Sequence, residues 1–581
     1  MRDPVSKVKK VRKVAAPIIS LIVPAIFLVC IYFICGIMFD TNDDRVIAGL
    51  ISGEISGENS TVEYCNFWIT APLSFLYRLF PTVPFWGLFL LAVIIISDAL
   101  IILSFYRLCS RLFLACFTNA LLIASVLYML SEINYTGVSM LAAIAGYATL
   151  IPEMIGEEKN KRNGAFVIFF IMEFLSVCIR KDSMLLIQPF GLTLYLSLII
   201  SEYLPVPGEK AKHLSRKCIP VLAEVVGAIL IALIVFQIGN LFSGKTSEEY
   251  RKYYHYNNMR TAIMDYYSKP VSYDEIKGFT SGTNITESRW NAAMDYTAWD
   301  LDVDPDVYRS IEEYVYGQCI HPGLRDILKG VFEYTFLKHS FWLILLLALF
   351  TAVLSILKEK MHYIVAICLL LAPHFLAWGY LIYNGRIMQR IQYPLFFCEG
   401  ICAAMILLAL IGKEPPGFTK RNKIITIIAA MVSLAGALMI GQGQYEECLK
   451  ANRAKESLVR GIRETVVYCE EHPGDSFILD NDAFGHYFGG PFESSYSKPS
   501  NYTLSGGWFS MMPDHARRMR EIIEGEEAFY YIVADYGDAV PESMRISGYT
   551  ADYFREVTGR EPEMYDTYES SFGVRFLVYR F

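Results

Sequence analysis

A succession of apolar runs limits this chain more than any other feature. Each reaches or approaches the ~20 residues that an α-helix needs to cross the hydrocarbon core of a bilayer. The runs lie at about 18–38, 84–106, 112–130, 137–155, 164–179, 183–203, 218–239, 340–357, 362–383, 391–411 and 424–440. With 54% of 581 residues hydrophobic, an ordinary soluble fold is excluded. Hydrocarbon offers backbone groups no hydrogen-bond partner, so such spans are helical. The expected fold class is a polytopic α-helical membrane protein of about 11 transmembrane helices, with a small extracytoplasmic α/β C-terminal domain.

Charge sets the sidedness. Met1–Pro17 carries Arg2, Lys7, Lys9, Lys10, Arg12 and Lys13, and basic flanks stay in the cytoplasm. The first apolar run is too long for a signal-peptide core and no small-x-small site follows it, so it reads as an uncleaved helix. Every loop then assigned to the inside is basic. The short outer loops carry cations only at Arg45, Arg180, Lys181, Arg386 and Arg390. This divides the chain into a transmembrane domain, 1–440, with outer loops at 39–83 and 240–338 that hold interfacial helices, and an extracytoplasmic domain, 441–581. Residues 66–80, closed by Pro81 and Pro84, read as one such interfacial helix.

In the C-terminal part, Ser476–Leu479, Phe529–Ala534 and Gly573–Arg580 are β-rich, and helical patterns at 445–470 and 513–525 separate them. Alternating strands and helices indicate a small α/β domain. No Gly-rich phosphate loop follows a strand, and acidic residues outnumber basic ones, which suits a solvated face and not a nucleic-acid binder. The 13 cysteines lie mostly within apolar runs and show no zinc spacing. Cys65, Cys319, Cys448 and Cys469 fall on the outer side, where a Cys448–Cys469 bridge is compatible with the topology. Sequons at Asn59, Asn134, Asn284 and Asn501 fall there too and carry no functional reading.

Polar chemistry concentrates at the outer ends of the spans. Phe39-Asp40-Thr41-Asn42-Asp43-Asp44-Arg45 follows the first span directly. A carboxylate there can take a proton from a hydroxyl, hold a divalent cation or grip a polar substrate; Asp and Asn also serve simply as helix N-caps. Arg180 and Lys181 end one span, and Arg386 and Arg390 flank the turn after Asn384-Gly385. Guanidinium forks match phosphate oxygens, or they snorkel to headgroups. Lys181 reads as a bystander. In the long outer loop Asn257, Arg260 and Asp265 alternate with aromatics, as in a polar ligand surface or an aromatic belt. Within the spans, Asp98, Glu173, Glu224 and His374 are candidate functional groups, because charge in hydrocarbon is costly.

The basic N-terminus, single helix, outer Asn42-Asp43-Asp44 loop and interfacial helix resemble the GT-C superfamily of polytopic membrane glycosyltransferases. So do Arg180–Asp182 and the Asn384-Gly385-Arg386…Arg390 turn. The resemblance covers about residues 15–440 and points to a bacterial branch with a soluble C-terminal extension. It implies an inverting glycosyltransferase of the bacterial plasma membrane. The donor would be a sugar on a polyprenyl phosphate, the acceptor an envelope glycan, lipid or protein, and the transfer would occur on the outer face. It further implies Asp44, or second Asp43, as the catalytic carboxylate, and Arg180, Arg386 and Arg390 as phosphate-binding residues. Asn257, Arg260 and Asp265 are taken as substrate-binding. A divalent cation stays open as cofactor. Arg45 departs from the pattern, since an aromatic or apolar residue is common there. Two other readings remain: a transporter or flippase of a lipid-linked glycan, which would use Asp98, Glu173 and Glu224, and a non-catalytic envelope assembly protein.

Overall fold

The computed structural model describes residues 4–57, 61–155, 159–203, 209–266, 271–319, 321–412, 420–480, 489–493, 501–525, 528–535, 548–571 and 573–581. Asn59, Tyr267 and the loops 204–208 and 413–419 lie outside the described residues, as do the side chains of 1–14, 199–218 and 413–423.

The N-terminal half contains α1 (Pro4–Ile34), β1 (Met38–Phe39), α2 (Asn42–Ser52), α3 (Phe67–Leu79), α4 (Phe85–Cys109), α5 (Leu112–Ser125), α6 (Leu127–Ser131) and β2 (Glu132–Ile133). It continues through α7 (Tyr135–Ile155), α8 (Lys159–Ile179), α9 (Lys181–Tyr203) and α10 (Glu209–Phe242). Then come α11 (Glu248–Thr261), extended by a π-turn over 262–266, α12 (Tyr273–Ile276), α13 (Glu287–Met294), α14 (Pro305–Gln318) and α15 (Leu324–Phe336). The remaining long helices are α16 (His339–Leu357), α17 (His362–Leu369), α18 (Leu371–Tyr383), α19 (Gln389–Ile411) and α20 (Lys420–Glu471).

Among the described residues eight helices are long and apolar enough to cross a membrane. The runs at 112–130, 183–203 and 424–440 are helical as well, within α5 and α6, α9 and α20. The first of these is interrupted at Val126, which leaves α5 with 14 residues. Two helices form the centre: α7 and α19 are each 89% buried along their spans. In α7 the small residues Ala142, Ala143, Ala145, Gly146 and Ala148 let neighbouring backbones approach closely, and a Cβ on Gly146 would stand 3.3 Å from Phe169 and Met172 of α8. Lipid-type exposure falls on the rim, as at Ile22 and Phe33 of α1 and Leu230 and Ile234 of α10. The run 66–80 expected as an interfacial helix is helical, as α3, capped by Asn66, whose side chain accepts from Trp68 N–H.

Residues after 476 form a five-stranded sheet of order β4-β3-β5-β7-β6, made of β3 (Phe477–Leu479), β4 (Tyr502–Leu504), β5 (Tyr530–Asp535), β6 (Glu563–Glu569) and β7 (Arg575–Arg580). β4, β3 and β5 are parallel, and β7 and β6 complete the sheet antiparallel. Its two faces have different neighbours. Phe477, Leu479, Ile532 and Val578 join the core continuous with the bundle. Ile478, Tyr531 and Val533 point the other way, into a second core with Trp290, Trp299 and Tyr308 of the long loop. This is the period-two alternation of a strand buried on both sides, which explains why β5 is apolar throughout. The loop 240–338 therefore shares its core with the C-terminal sheet, and α20 runs unbroken through residue 440.

One expectation is corrected. Cys448 and Cys469 are free and buried on the same helix, 21 residues apart (469 − 448). That is ~31 Å at helical rise, far beyond disulfide reach.

Candidate active site

The polar residues flagged at the ends of the spans meet where β1, α2, α7, α9, α11 and α19 come together. α1 ends before Gly36, whose φ is +80°, and the chain enters β1. There Met38 and Phe39 pair in parallel with Glu132 and Ile133. Asp40 N–H donates to the Ile133 carbonyl at 2.9 Å, and Phe39 N–H donates to that of Gly489, also at 2.9 Å. α2 begins two residues later with Asp43 and Asp44 in its first turn, where a helix dipole favours negative charge.

The three aspartates differ sharply. Asp44 has no exposed surface. It accepts from the Trp86 indole N–H at 3.1 Å and from Tyr135 N–H at 3.2 and 3.3 Å. It therefore caps the start of α7. Burial, then the charge of Asp43, pushes its carboxyl well above the ordinary range. Asp40 is half-buried, accepts from the Tyr128 hydroxyl at 2.9 Å and Asn134 at 3.4 Å, and is raised by burial. Asp43 keeps some exposure, 14%, and pairs with Arg390 at 3.1 Å.

A carboxyl raised in the folded state binds its proton more tightly there than in the unfolded chain. The associated stability is therefore full below the unfolded pKa of ~3.9 and declines as pH rises toward the folded value. Asp44→Asn should flatten this decline. The check is the melting temperature of both proteins from about pH 4 to about pH 8, a range that starts near the ordinary aspartate value.

Two arginines, Arg390 and Arg180, act directly on Asp43, and two more, Arg260 and Arg386, gather at Asp265. Arg180, at the break between α8 and α9, donates to the Tyr135 hydroxyl and Thr136 Oγ1, both at 2.6 Å. Its guanidinium stands 4.8 Å from the Tyr135 ring and 5.6 Å from that of Tyr64, and Asp43 is close enough to stabilise its charge. Arg260 donates to Asn257 at 2.9 and 3.2 Å and lies 3.8 Å from Asp265. Arg386 lies 3.6 Å from the same Asp265 carboxylate and stacks 4.4 Å from the Tyr266 ring. The turn before it needs glycine: Gly385 has φ +65°, and a Cβ there would meet the Tyr266 carbonyl at 2.9 Å. Tyr64 ties the two halves together, since both Arg260 and Asp43 act on its phenol, which burial raises. Asp43 and Asp265 are the partly exposed carboxylates of this cluster, and Asp40 and Asp182 act on Arg390 and Arg180 from its edge; the guanidinium forks are the donors that a phosphate would meet.

The structure thus brings together Asp43, Asp44, Arg180, Arg386, Arg390, Asn257, Arg260 and Asp265. Lys181 points elsewhere, 44% exposed beside Asp182. Arg45 is buried against Glu54 at 2.7 Å, and Glu54 also accepts from Tyr502 of the C-terminal sheet at 2.8 Å. The position that departs from the family pattern is thus an anchor for the domain.

Sequence reasoning missed Tyr64, Tyr135, Trp86, Glu132, Lys455 and Trp508. Trp508 packs its ring 4.9 Å from Tyr64, and its turn is held by Gly506, where a Cβ would collide with the Tyr296 carbonyl at 1.7 Å. Aromatic abundance in the chain hid Tyr64, and nothing local marks the others.

The acids within the bundle form separate local pairs. Asn119 donates to Asp98 at 2.9 Å, and Gln188, which accepts from Tyr147 at 2.7 Å, donates to Glu173 at 2.9 Å. Glu224 is 44% exposed and 3.8 Å from Arg162. His374 meets Glu399, which the sequence reading passed over, at 3.0 Å, and Trp378 donates to the same oxygen at 3.0 Å.

A divalent cation fits the donors poorly. Asp44 spends both oxygens on N–H groups and Asp43 faces a guanidinium. Among the described residues no three His, Cys, Asp or Glu side chains converge as a metal site.

Fold and site define a polytopic helical membrane protein with a cationic, carboxylate-bearing site at one end of its bundle. No family model matches the sequence, nor does any curated protein. Among solved structures the chain is similar to ArnT from Cupriavidus metallidurans in the apo state, at 10% identity over 96% of this chain and 97% of that one, with a TM-score of 0.36. It is similar also to ArnT bound to undecaprenyl phosphate, at 8% identity with the same coverage and TM-score.

Proposed function

We propose that the chain is a membrane glycosyltransferase of the GT-C kind. It would move a sugar from a polyprenyl-phosphate carrier to an envelope glycan, lipid or protein acceptor on the outer face of the bacterial plasma membrane. The observation that carries this reading is the Asp43–Arg390 pair, partly open and set beside Arg180, whose charge Asp43 also stabilises. Such a site offers a base for a hydroxyl and a cradle for a leaving phosphate.

Asp43 now stands ahead of Asp44 as the base. A base must reach the proton it takes, and Asp44 is enclosed with its oxygens occupied. In the proposed reaction the acceptor oxygen forms a bond to the anomeric carbon as Asp43 takes its proton. The carbon–oxygen bond to phosphate breaks with its electron pair moving to the phosphate. Arg180, Arg386 and Arg390 hold the charge that develops there, an electrostatic role of the kind that dominates such catalysis. Arg390 would exchange Asp43 for a phosphate oxygen, which frees the carboxylate to accept a proton. Asn257, Arg260 and Asp265 border this site and would orient the sugar or its acceptor.

The test is an envelope-glycan profile by mass spectrometry of cells deleted for the chain and then complemented. Loss of one glycan substituent, restored by the wild type and not by Asp43→Asn at equal membrane level, supports the reading. Build-up of a complete lipid-linked glycan on the cytoplasmic side would favour the flippase instead.

A further inference from the structure

α20 turns one polar face toward the elements around Asp43. Gln444, Glu447, Asn452 and Lys455 recur on that face at helical spacing. Glu447 accepts from the Tyr393 hydroxyl at 2.8 Å and from Gln389 at 3.2 Å, so it braces the start of α19 beside Arg390. Asn452 donates to the Cys35 carbonyl at the end of α1 and to Ser131 Oγ. The Lys455 ammonium donates to the carbonyls of Phe39 at 3.2 Å and Asp40 at 3.1 Å, and pairs with Glu132. Those carbonyls belong to the two residues that lead into α2, three and four positions before Asp43. The lysine is 14% exposed and Glu132 is fully buried, and the ammonium meets Phe39, Asp40 and Glu132 together.

We infer that Lys455 is a positioning residue for Asp43: by gripping the Phe39 and Asp40 carbonyls it sets where the first turn of α2, and hence the carboxylate, stands relative to the arginine cluster. This rests on the transferase reading above. The physical case is that a salt bridge alone would need only Glu132. An ammonium has three donors, and here two go to a backbone stretch held also by the short β1–β2 pairing and the Gly489 contact. Displacing reacting groups by even ~1 Å is costly to rate while leaving ligand binding largely untouched.

Lys455→Met by itself would strand the buried Glu132 charge, which destabilises for an unrelated reason. The experiment therefore compares Glu132→Gln, Lys455→Met combined with Glu132→Gln, Lys455→Arg, and Asp43→Asn. Three readouts are taken: the glycan substituent formed in complemented cells, the melting temperature, and binding of polyprenyl phosphate to the full chain in lipid nanodiscs. Expected is near-normal transfer in Glu132→Gln and partial transfer in Lys455→Arg. The double variant should lose roughly tenfold or more in transfer, with melting temperature and polyprenyl-phosphate binding unchanged. Normal transfer in the double variant overturns the inference. So does an equal loss in Glu132→Gln, which would assign the effect to the ion pair, or a parallel fall in melting temperature, which would make the role structural. Normal transfer in Asp43→Asn would overturn Asp43 as the base and the positioning role with it, whereas an unchanged glycan profile in cells deleted for the chain would overturn the transferase reading itself.

Discussion

Asp43→Asn should lower transfer by about 10²–10⁴-fold, the range that a positioned general base contributes, while folding and polyprenyl-phosphate binding persist. The asparagine keeps the size and one acceptor oxygen, so Arg390 still has a hydrogen-bond partner at the start of α19. What it loses is the capacity to take a proton. Asp44→Asn should behave differently although it is the next residue. Burial raises the Asp44 carboxyl well above the ordinary range, and its work is to accept from Trp86 and Tyr135 N–H, which an amide oxygen also does. Its expected effect on transfer is within about tenfold, well short of a lost base. The measurement is the glycan substituent formed at matched protein level for both variants. If Asp44→Asn is the inactive one, the base is Asp44 and the enclosed arrangement opens during turnover.

Trp290→Ala should loosen the long loop and the C-terminal sheet together. Trp290 is fully buried in the core that joins Tyr308 and Val315 of the loop with Ile478, Tyr531 and Val533 of the sheet. Its indole N–H donates to the Val271 carbonyl at 2.8 Å. Truncating a buried aromatic of this size costs about 3–5 kcal/mol, and the Val271 carbonyl loses its partner as well. Since the second core is small, that is a large share of its stability. Limited proteolysis should show new cleavage within 240–338 and within 501–581 at the same protease level, with α4, α7 and α19 still protected. Cleavage confined to the loop would mean that the sheet stands as an independent domain.

The same core bears on the site. Tyr64 touches Trp508 from the sheet side, Arg180 from the bundle side and the field of Arg260 from the loop. Loosening the second core, which holds Tyr256 and Met259 beside Arg260 on α11, should therefore disturb Arg260 more than Arg180 or Arg390, whose anchors lie in α7 and α2.

What the sequence by itself determined was whatever a local pattern encodes. Apolar runs of spanning length set the helices, because hydrocarbon allows no other backbone. Arg180, Arg386 and Arg390 stood out as cations on the side that the positive-inside rule leaves sparse, and Asp43 as one of three carboxylates within five residues after the first span. The β-rich runs near 477, 530 and 575 announced a sheet through residue type. Tertiary structure alone decided the rest. Asp43 and Asp44 are chemically identical in sequence, and only the packing of Trp86 and Tyr135 around one of them separates an enclosed cap from a carboxylate that keeps some exposure. The partner of Asp43 lies 347 residues away, and the lysine that holds its backbone lies 415 residues from Asp40. The loop 240–338 reads as a membrane-domain insertion until its tryptophans are seen to share a core with the sheet. Helix and strand periodicities report which face of an element is buried; against what it is buried is set by contacts between distant segments, and no local pattern carries that.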